Sequence, residues 1–327
     1  MDSRRVILAA ALTLGVFVLG DGAVPAQPYP SRPIKIVVPF PPGGPTDAMA
    51  RIAADRLATT LGQTVLVENR GGGAGGSVGA KAVASADPDG YTLLLTPPGP
   101  LTTGPAVHKN LDYDAATAFT PVGMLFSAPL VLVVIPSLPI NTLPELIAYA
   151  RQNPGKISQA SQGFGVAPHL LLELLKLETG VNIVHVPYRG TAPALTDLMA
   201  GTVQTFFDTP TILLPYIQSG KLRPLAVTSE SRNRQLPNVP TTTEAGYPKL
   251  VSLFWLGVVA PAGTPPAIID KLNGAFNTSF EAPDVRAKLT ELGADLRLGT
   301  PQEFGRYLET ERQKWTDVVA AAGIKGE

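Results

Sequence analysis

Four glycine-containing loops each precede a predicted helix and have the composition to bind a ligand through main-chain groups. They lie at residues 40–47, 71–77, 161–169 and 188–193. In open α/β sheets, ligands bind beyond the carboxyl ends of the strands, where N–H groups at helix starts point outward. Each helix start favours an anion by about 0.3–1 kcal/mol at an exposed site. Several converging loops can therefore hold a carboxylate without lysine or arginine, although for the glycines at 43–44 and the turn at 161–165 a purely structural role explains the composition equally well.

A few charged or titratable side chains accompany these loops. Asp47 falls in the first turn of its helix, where a carboxylate bonds free N–H groups, or could orient a ligand amine or a water. Asp208 ends a predicted strand and is better placed to face a cleft. His169 opens its helix and could donate to a carboxylate, although a packed histidine is the commoner case. His185, within a strand, is interpreted as structural, and Arg189 could pair with an acid through its planar fork.

Two patterns typical of enzymes coincide in one glycine-dense segment. Gly71, Gly73 and Gly76 satisfy G-x-G-x-x-G, but the next strand ends in Leu-Thr-Pro-Pro, with no acidic residue to hold a ribose. Residues 75–79 spell G-x-S-x-G around Ser77. That hydrolase order needs a late histidine, and none occurs in the last third of the chain. Ser77 is therefore predicted to cap its helix, and an exported serine hydrolase using Ser77 stays as the alternative function.

Composition argues against several other classes of function. Zero cysteine excludes thiol catalysis, Cys-ligated metal and disulfides, and three histidines argue against a histidine-rich metal centre. Lys+Arg 26 balance Asp+Glu 26, so bulk electrostatics does not draw the chain to nucleic acid. We therefore expect no catalytic residue, no metal and no cofactor.

Residues 1–26 have the order of a secretory signal peptide. Arg4 and Arg5 precede an apolar run at 6–20, and Ala26 precedes the expected cleavage site. The run is shorter than the about 20 residues that a membrane span requires, so a membrane anchor is the less favoured alternative. The chain is predicted to be exported to the periplasm, and the two arginines leave the twin-arginine route open beside general secretion.

Strand and helix patterns alternate along the rest of the chain and predict an α/β fold. Apolar runs at 34–40, 65–68 and 92–96 each lead into a loop and a helical pattern, which indicates mostly parallel sheets flanked by helices. The series restarts near residue 129, and the late helices most economically pack back on the first half. Two lobes joined by two chain crossings form a hinge, where small ligands bind. The predicted division is a signal peptide at 1–26, lobe 1 at 27–128 plus 250–327, and lobe 2 at 129–249.

Seven segments form a pattern that extends over essentially the whole chain after the signal peptide. In order they are YP at 29–30, IVVPF at 36–40, PGGPTD at 42–47, VENR at 67–70, DGYTLL at 89–94, VPYRG at 186–190 and APAGTP at 260–265. Together they resemble the Bug family, the periplasmic substrate-binding proteins of tripartite tricarboxylate transporters. The resemblance implies a monomeric, two-lobed (type II) periplasmic-binding fold that closes on a di- or tricarboxylate or an aromatic acid. It also implies delivery of that acid to large and small membrane subunits, without catalysis; a subunit serving a signalling receptor is the other alternative.

Carried over to this sequence, the resemblance and the loop positions place the ligand between the two lobes. The predicted ligand-binding residues are Phe40, Pro42, Gly43, Gly44, Thr46, Asp47, Gly76, Ser77, Ser161, Gly163, Phe164, Ala167, His169, Tyr188, Arg189, Gly190, Ala192 and Asp208. Phe164, Val166 and Ala167 stand where family members often carry small polar residues. This apolar wall favours an aromatic or longer-chain carboxylate over a compact polar acid such as citrate.

Overall fold

A computed structural model describes residues 28–325, so the predicted signal peptide lies outside the described residues. The strands are β1 (Ile34–Val38), β2 (Val65–Asn69), β3 (Thr92–Thr96), β4 (Phe119–Pro129), β5 (Val131–Val134), β6 (Ser158–Ser161), β7 (Val184–Pro187), β8 (Thr205–Asp208), β9 (Arg223–Val227), β10 (Leu253–Pro261) and β11 (Asp295–Leu296). The helices are α1 (Pro45–Leu61), α2 (Ser77–Ala84), α3 (Gly104–Val107), α4 (Leu143–Gln152), α5 (Ala167–Thr179), α6 (Thr191–Ala200), α7 (Pro210–Gln218), α8 (Pro266–Phe280), α9 (Pro283–Glu291) and α10 (Pro301–Ala321). Within residues 28–325, no helix has both the length and the apolar character of a membrane span.

The strands form two sheets, each flanked by helices, which confirms the predicted α/β fold class. The first sheet has the order β11-β4-β10-β3-β1-β2 and the second the order β7-β6-β8-β5-β9. Each sheet is mixed and not mostly parallel. The pairs β1–β2, β1–β3, β6–β7 and β6–β8 are parallel, whereas the pairs made by β4, β5, β9, β10 and β11 are antiparallel. Strands β4 and β5 flank the first connection between the two sheets, and β9 and β10 flank the second. Parallel pairing of neighbouring strands requires a helical crossover within one sheet, which these connections do not supply.

Both faces of each sheet are covered, which explains the unbroken apolar runs in the sequence. Along β1, Ile36 and Val38 face the cluster that includes α1, α8 and α9, whereas Val37 faces the opposite cluster with α2 and the start of α10. Along β5, Leu132 faces α4 and α5, whereas Val133 faces α6 and α7. Successive side chains point to opposite faces of a strand, so a strand buried on both faces needs apolar residues at every position.

The chain crosses between the sheets twice, and one buried threonine links the two crossings. The first crossing is at Leu130, between β4 and β5, and the second runs from Thr228 to Ser252, between β9 and β10. The Thr228 hydroxyl accepts from the Leu130 N–H at 2.9 Å and donates to the Ser252 carbonyl. The Ser252 N–H in turn donates to the Thr228 carbonyl at 2.9 Å. The two connections between the lobes therefore form one hydrogen-bonded pair.

The last helix contacts both lobes. Near the start of α10, Phe304 and Leu308 pack in the first-lobe cluster that contains Trp255. Near its end, Trp315 and Val318 pack in the second-lobe cluster with the leucines of α5. The apolar faces of helices α8 and α9 pack on the first sheet, while Gln235 of the second lobe donates to the carbonyls of Thr290 and Glu291 at the end of α9. The chain from residue 301 onwards therefore contacts both lobes, and not only the first as the sequence suggests.

Candidate ligand-binding site

The loop between β1 and α1 is fixed by the buried carboxylate of Asp47, which is 4% exposed. Its Oδ2 accepts from the Gly43 N–H at 2.9 Å and from Arg51 Nε at 3.1 Å. Its Oδ1 accepts from Asn69 Nδ2 at 3.0 Å and lies 3.0 Å from Arg51 Nη2. The Gly43 N–H, followed by Arg51, holds the pKa of Asp47 below its usual range. Both carboxylate oxygens have protein partners, so Asp47 shapes the loop.

This arrangement leaves the start of α1 open. Gly44 is the N-cap, with extended backbone and no side-chain cap, and Pro45 occupies the first helical position. The N–H groups of Thr46 and Asp47 therefore have no partner within the helix. Pro42 and Gly43, on the loop before this helix, are exposed. The start of the same loop is held by Asn69, which donates to the Phe40 carbonyl at 3.2 Å. Main-chain groups at this helix start can bind an anion.

Two residues that bond to Asp47 and so stabilise the loop at 40–47 were missing from the predicted site. Arg51 lies four positions after Asp47 on a helix, the spacing at which side chains on one face meet. Asn69 ends β2, which pairs in parallel with β1, so its side chain emerges at the same edge of the sheet as the loop after β1. Both signals are present in the sequence and could have identified this pair.

The glycine loop after β2 packs on the end of β1. Gly76 has φ +92°, and a Cβ there would lie 2.9 Å from the Pro39 carbonyl oxygen and 3.3 Å from the Phe40 ring. Only glycine fits that position without strain. Gly76 is the N-cap of α2, and the helix has no side-chain cap bond. The prediction that Ser77 caps α2 is therefore wrong, because Ser77 is the first helical residue and follows a left-handed glycine.

The second-lobe loop after β6 is held by two histidines. The buried Ser161 hydroxyl donates to the Gly163 carbonyl at 2.7 Å and lies 2.7 Å from His185 Nε2. The Gly165 N–H donates to His169 Nδ1 at 3.0 Å. The imidazole of His169 is 3% exposed and stacks on that of His185, with ring centroids 3.9 Å apart. His169 therefore receives a hydrogen bond from the loop through Nδ1.

The start of α5 follows directly from this loop. Val166 is the N-cap, with extended backbone, and Ala167 is the first helical residue. The N–H groups of Ala167 and His169 precede the first intrahelical bond, which Leu170 makes to the Val166 carbonyl. As in α1, the helix starts without a side-chain cap and can bind an anion through its main chain.

Asp208 links three second-lobe loops at the carboxyl ends of their strands. Its carboxylate accepts from Gln162 at 2.8 Å, from the Thr191 hydroxyl at 3.0 Å and from the Thr209 N–H at 2.7 Å. It is 6% exposed, and burial raises its pKa although all three donors oppose the shift. Asp208 lies among the predicted loops, as a buried acceptor that joins them. Its bonds place the start of α6 beside the loop after β6.

The loop after β7 runs beside the loop after β6. Tyr188 donates its N–H to the Ser161 carbonyl at 2.9 Å, and its hydroxyl donates to Asp197 at 2.7 Å. Burial, followed by Asp197, raises the pKa of Tyr188 to about 12. Gly190, at φ +104°, is the N-cap of α6 and leaves the N–H groups of Thr191 and Ala192 at the helix start. Arg189 is exposed, and no ion pair or hydrogen bond of its side chain is found within residues 28–325.

One segment contacts loops of both lobes. A Cβ at Gly99, just after β3, would lie 2.8 Å from the Gly75 carbonyl oxygen of the glycine loop. At the other end of the same segment, a Cβ at Gly165 would lie 3.2 Å from Val107 in α3. Residues 99–107 therefore connect the glycine loop of the first sheet to the histidine-held loop of the second.

One surface cavity lies away from these loops. It has a volume of about 430 Å³, lies between α1 and α9, is lined by Ile52, Arg56 and Asp284 among others, and shares no residue with the loops. Within residues 28–325, histidines and carboxylates form no group of three that could hold a metal ion.

Two α/β lobes joined by paired crossings, with loops that present main-chain groups, define a two-lobed solute-binding protein. Residues 49–324 match the model of the tripartite tricarboxylate transporter family receptor, TctC, and the chain belongs to this family. The predicted resemblance to Bug proteins is confirmed. The chain is 40% identical to BugT of Bordetella pertussis over 316 residues, 95% of this chain and 97% of that protein.

Solved structures show the same similarity. A protein of R. palustris, solved with adipate, is 39% identical and superposes with a TM-score of 0.80, covering 91% of this chain and 100% of that one. MatC from Rhodopseudomonas palustris, solved with bound malate, is 35% identical with a TM-score of 0.76, covering 89% of this chain and 100% of that one. The fold is therefore the two-lobed fold of periplasmic binding proteins.

Proposed function

We propose that this protein binds an organic carboxylate between its lobes. One observation carries the proposal: the starts of α1, α5 and α6 lack side-chain caps, while internal hydrogen bonds fix the loops that lead into them. Such helix starts stabilise negative oxygens through N–H groups and the helix dipole. The adipate and malate bound by the two solved relatives support the same class of ligand.

The proposed binding step is closure of the two lobes about the crossings at Leu130 and Thr228. The first lobe would comprise residues 27–128 plus 250–327 and the second lobe residues 129–249, with α10 in contact with both. A ligand favours the closed form only if it contacts both lobes better there than in the open form. The loop at 40–47 would supply the first set of N–H groups, and the starts of α5 and α6 the second.

The biological setting we propose follows from the family. The mature protein would be a periplasmic monomer, cleaved near Ala26, that delivers its ligand to large and small transporter subunits without catalysis. The hydrolase alternative requires a base near Ser77. The histidines His169 and His185 both bond to the second-lobe loop instead. Turnover of an activated ester that is abolished in Ser77→Ala would contradict the proposal.

Calorimetry of the mature chain against a carboxylate panel tests the function directly. Titration at pH 7 with adipate, malate, benzoate and citrate, and with adipamide as the uncharged control, is expected to give binding by at least one acid and none by the amide. The N–H groups at the helix starts stabilise negative oxygens and gain little from a neutral amide. Failure of all carboxylates, or equal affinity for adipamide, would contradict the proposal.

Phe164 is proposed to select ligands with an apolar or aromatic body. It is a large apolar side chain, 37% exposed, beside the start of α5, and its ring centroid lies 4.8 Å from that of His169. In Phe164→Ala, we expect affinity for benzoate or adipate to fall about 2- to 13-fold, the loss of about 0.5–1.5 kcal/mol of ring contact. Affinity for malate should change less.

Leu177→Ala is the matched control, because Leu177 is an exposed apolar residue near the opposite end of the same helix. It should leave both affinities unchanged. Equal losses for benzoate and malate in Phe164→Ala would contradict a role of Phe164 in selectivity.

Gly44→Leu is expected to reduce carboxylate affinity about tenfold or more, a loss of about 1.4 kcal/mol, with little change in stability. Gly44 has φ −83°, and a Cβ there would have only the Pro41 carbonyl oxygen nearby, at 4.0 Å, so the fold has room for a side chain. The side chain would cover the open start of α1. Gly274→Leu, at an exposed position of α8 with nothing within 4 Å, controls for added surface apolarity. Calorimetry and thermal unfolding of both variants check this, and unchanged affinity in Gly44→Leu would contradict binding at this helix start.

A further inference from the structure

Two stacked histidines of the second lobe, the buried His169 and the half-buried His185, hold the shape of the loop that precedes α5. His169 Nδ1 receives the Gly165 N–H at 3.0 Å, so this nitrogen carries no proton. The Ser161 hydroxyl gives its proton to the Gly163 carbonyl, so His185 Nε2, 2.7 Å from the same hydroxyl, is the donor in that contact. Both imidazoles therefore carry a proton on Nε2, and His169 is neutral because its Nδ1 accepts a bond. The pair fixes two successive glycines of the loop, at positions 163 and 165.

The stacking of these rings makes a second proton unfavourable. The centroids of the two rings lie 3.9 Å apart, and the ring planes are 9° from parallel. Two imidazolium charges there would therefore repel each other at close range. A proton on His169 Nδ1 would point at the Gly165 N–H. The hydrogen bond between them would then be lost, because a protonated nitrogen cannot accept it. Acid therefore removes the contact that holds Gly165 in its left-handed conformation at φ +74°.

The charged groups around the pair offer little compensation. His169 Nε2 lies 3.8 Å from Glu173 Oε1, but both oxygens of Glu173 already accept from Lys176, at 3.0 and 2.9 Å. Asp208, on the neighbouring β8, is held by Gln162, Thr191 and Thr209. The charged groups that other elements bring to α5 bond elsewhere, Glu311 to Trp315, Lys314 to the Val251 carbonyl and Lys249 to Glu178.

We propose that His169 and His185 are positioning residues that keep the second-lobe loop in its binding shape only while both are neutral, so that acid lowers the affinity for the carboxylate. This rests on the proposed function. Burial is the main cause that lowers the pKa of each histidine from 6.5 to about 4. The binding form is therefore complete at neutral pH and is lost as the pH falls through about 4.

Adipate calorimetry at pH 7 and pH 4 tests the proposal. With both pKa values near 4 and a second proton disfavoured, about a third of the molecules keep both rings neutral at pH 4, which lowers affinity about threefold. The double variant His169→Asn/His185→Gln keeps an acceptor and a donor near the positions of the lost nitrogens but does not titrate. The ratio of dissociation constants between pH 4 and pH 7 should therefore be about threefold larger in the wild type than in this variant.

Two further variants separate positioning from general stability. His108→Asn replaces the third histidine, which lies outside the loop contacts, and should keep the full acid loss. His169→Leu removes the acceptor and should bind adipate more weakly at pH 7 than His169→Asn, which restores it. The proposal would be overturned if the ratio of dissociation constants between pH 4 and pH 7 were the same in the wild type and the double variant. Tighter binding of adipate by the wild type at pH 4 than at pH 7 would also overturn it.

A ligand-free measurement distinguishes failure of this proposal from failure of the proposed function. The chain has only three histidines, so long-range proton–nitrogen NMR spectra resolve each ring. We expect His169 and His185 as neutral Nε2–H tautomers at pH 7, and a shift of the Gly163 and Gly165 amides as the rings protonate. A His169 protonated on Nδ1 at pH 7 would overturn the proposal. Correct tautomers without any carboxylate binding would instead contradict the proposed function.

Discussion

Trp315→Ala is expected to lower the free energy of unfolding by about 3–5 kcal/mol, a large part of the about 5–15 kcal/mol of a typical protein. Trp315 is 1% exposed and packs in the second-lobe cluster, and its indole N–H donates to Glu311 at 3.0 Å. Alanine leaves a cavity there and an acceptor without its donor. Because α10 also packs on the first lobe, the loss should loosen the contact between the lobes.

Urea unfolding measures this effect, and the matched control is Thr316→Ala, the exposed neighbour on the same helix. The control is expected to stay within about 0.5 kcal/mol of the wild type. The chain has two tryptophans, so Trp315→Ala leaves Trp255, in the first lobe, as the single fluorescence reporter. A loss below about 1 kcal/mol in Trp315→Ala would contradict the packing described for α10.

Asp47→Ala is expected to reduce carboxylate affinity about 10- to 100-fold, or about 1.4–2.8 kcal/mol. The substitution removes the acceptor of Gly43, Arg51 and Asn69 together, so the loop before α1 loses its internal support. Donors left without a partner at a buried site cost about 1–3 kcal/mol, so a moderate loss of stability should accompany it without abolishing folding.

Asp55→Ala is the control for removing an acidic side chain from the same helix, since Asp55 is exposed and outside the loop. Calorimetry and thermal unfolding of both variants provide the comparison. Asp47→Asn should recover part of the affinity, because its side-chain oxygen can still accept one of the three bonds. Wild-type affinity and melting temperature together in Asp47→Ala would contradict the assigned role.

The regular elements were largely predictable because their signals are local. Thr142, the N-cap of α4, accepts from the Glu145 N–H at 3.2 Å, and the spacing of these two residues is that of a capping box. Apolar runs located β1 and β3 closely. Helix α1 begins at Pro45, a residue that suits a first helical position. Such signals depend only on neighbours in the chain.

Residues 99–107 and strand β4 were not predictable in the same way. Residues 99–107 contain prolines and glycines that read as a loop, yet they form consecutive helical turns that are stabilised by the loops they contact. Strand β4 contains Pro121 and Gly123, which are unfavourable in a strand, but it pairs with β10 along most of its length. Tertiary pairing overrides local preference in both segments.

The candidate site was predictable as a set of loops and less so as a set of contacts. The positions of Gly43, Gly163 and Gly190 follow from glycine-rich turns before helices. The roles of His169 and Asp208 depend on which partners the fold brings to them, and His185 comes from a neighbouring strand. Pairing between strands is not recorded in the local sequence, so these partners required the structure.

A crystal structure of the mature protein with a carboxylate that calorimetry has shown to bind tests whether helix starts of both lobes hold the ligand. We expect the carboxylate oxygens to lie within hydrogen-bond distance of main-chain N–H groups at the start of α1 on one lobe and of α5 or α6 on the other. A carboxylate bound outside these loops, or held by the Arg189 side chain with no main-chain contact, would contradict it.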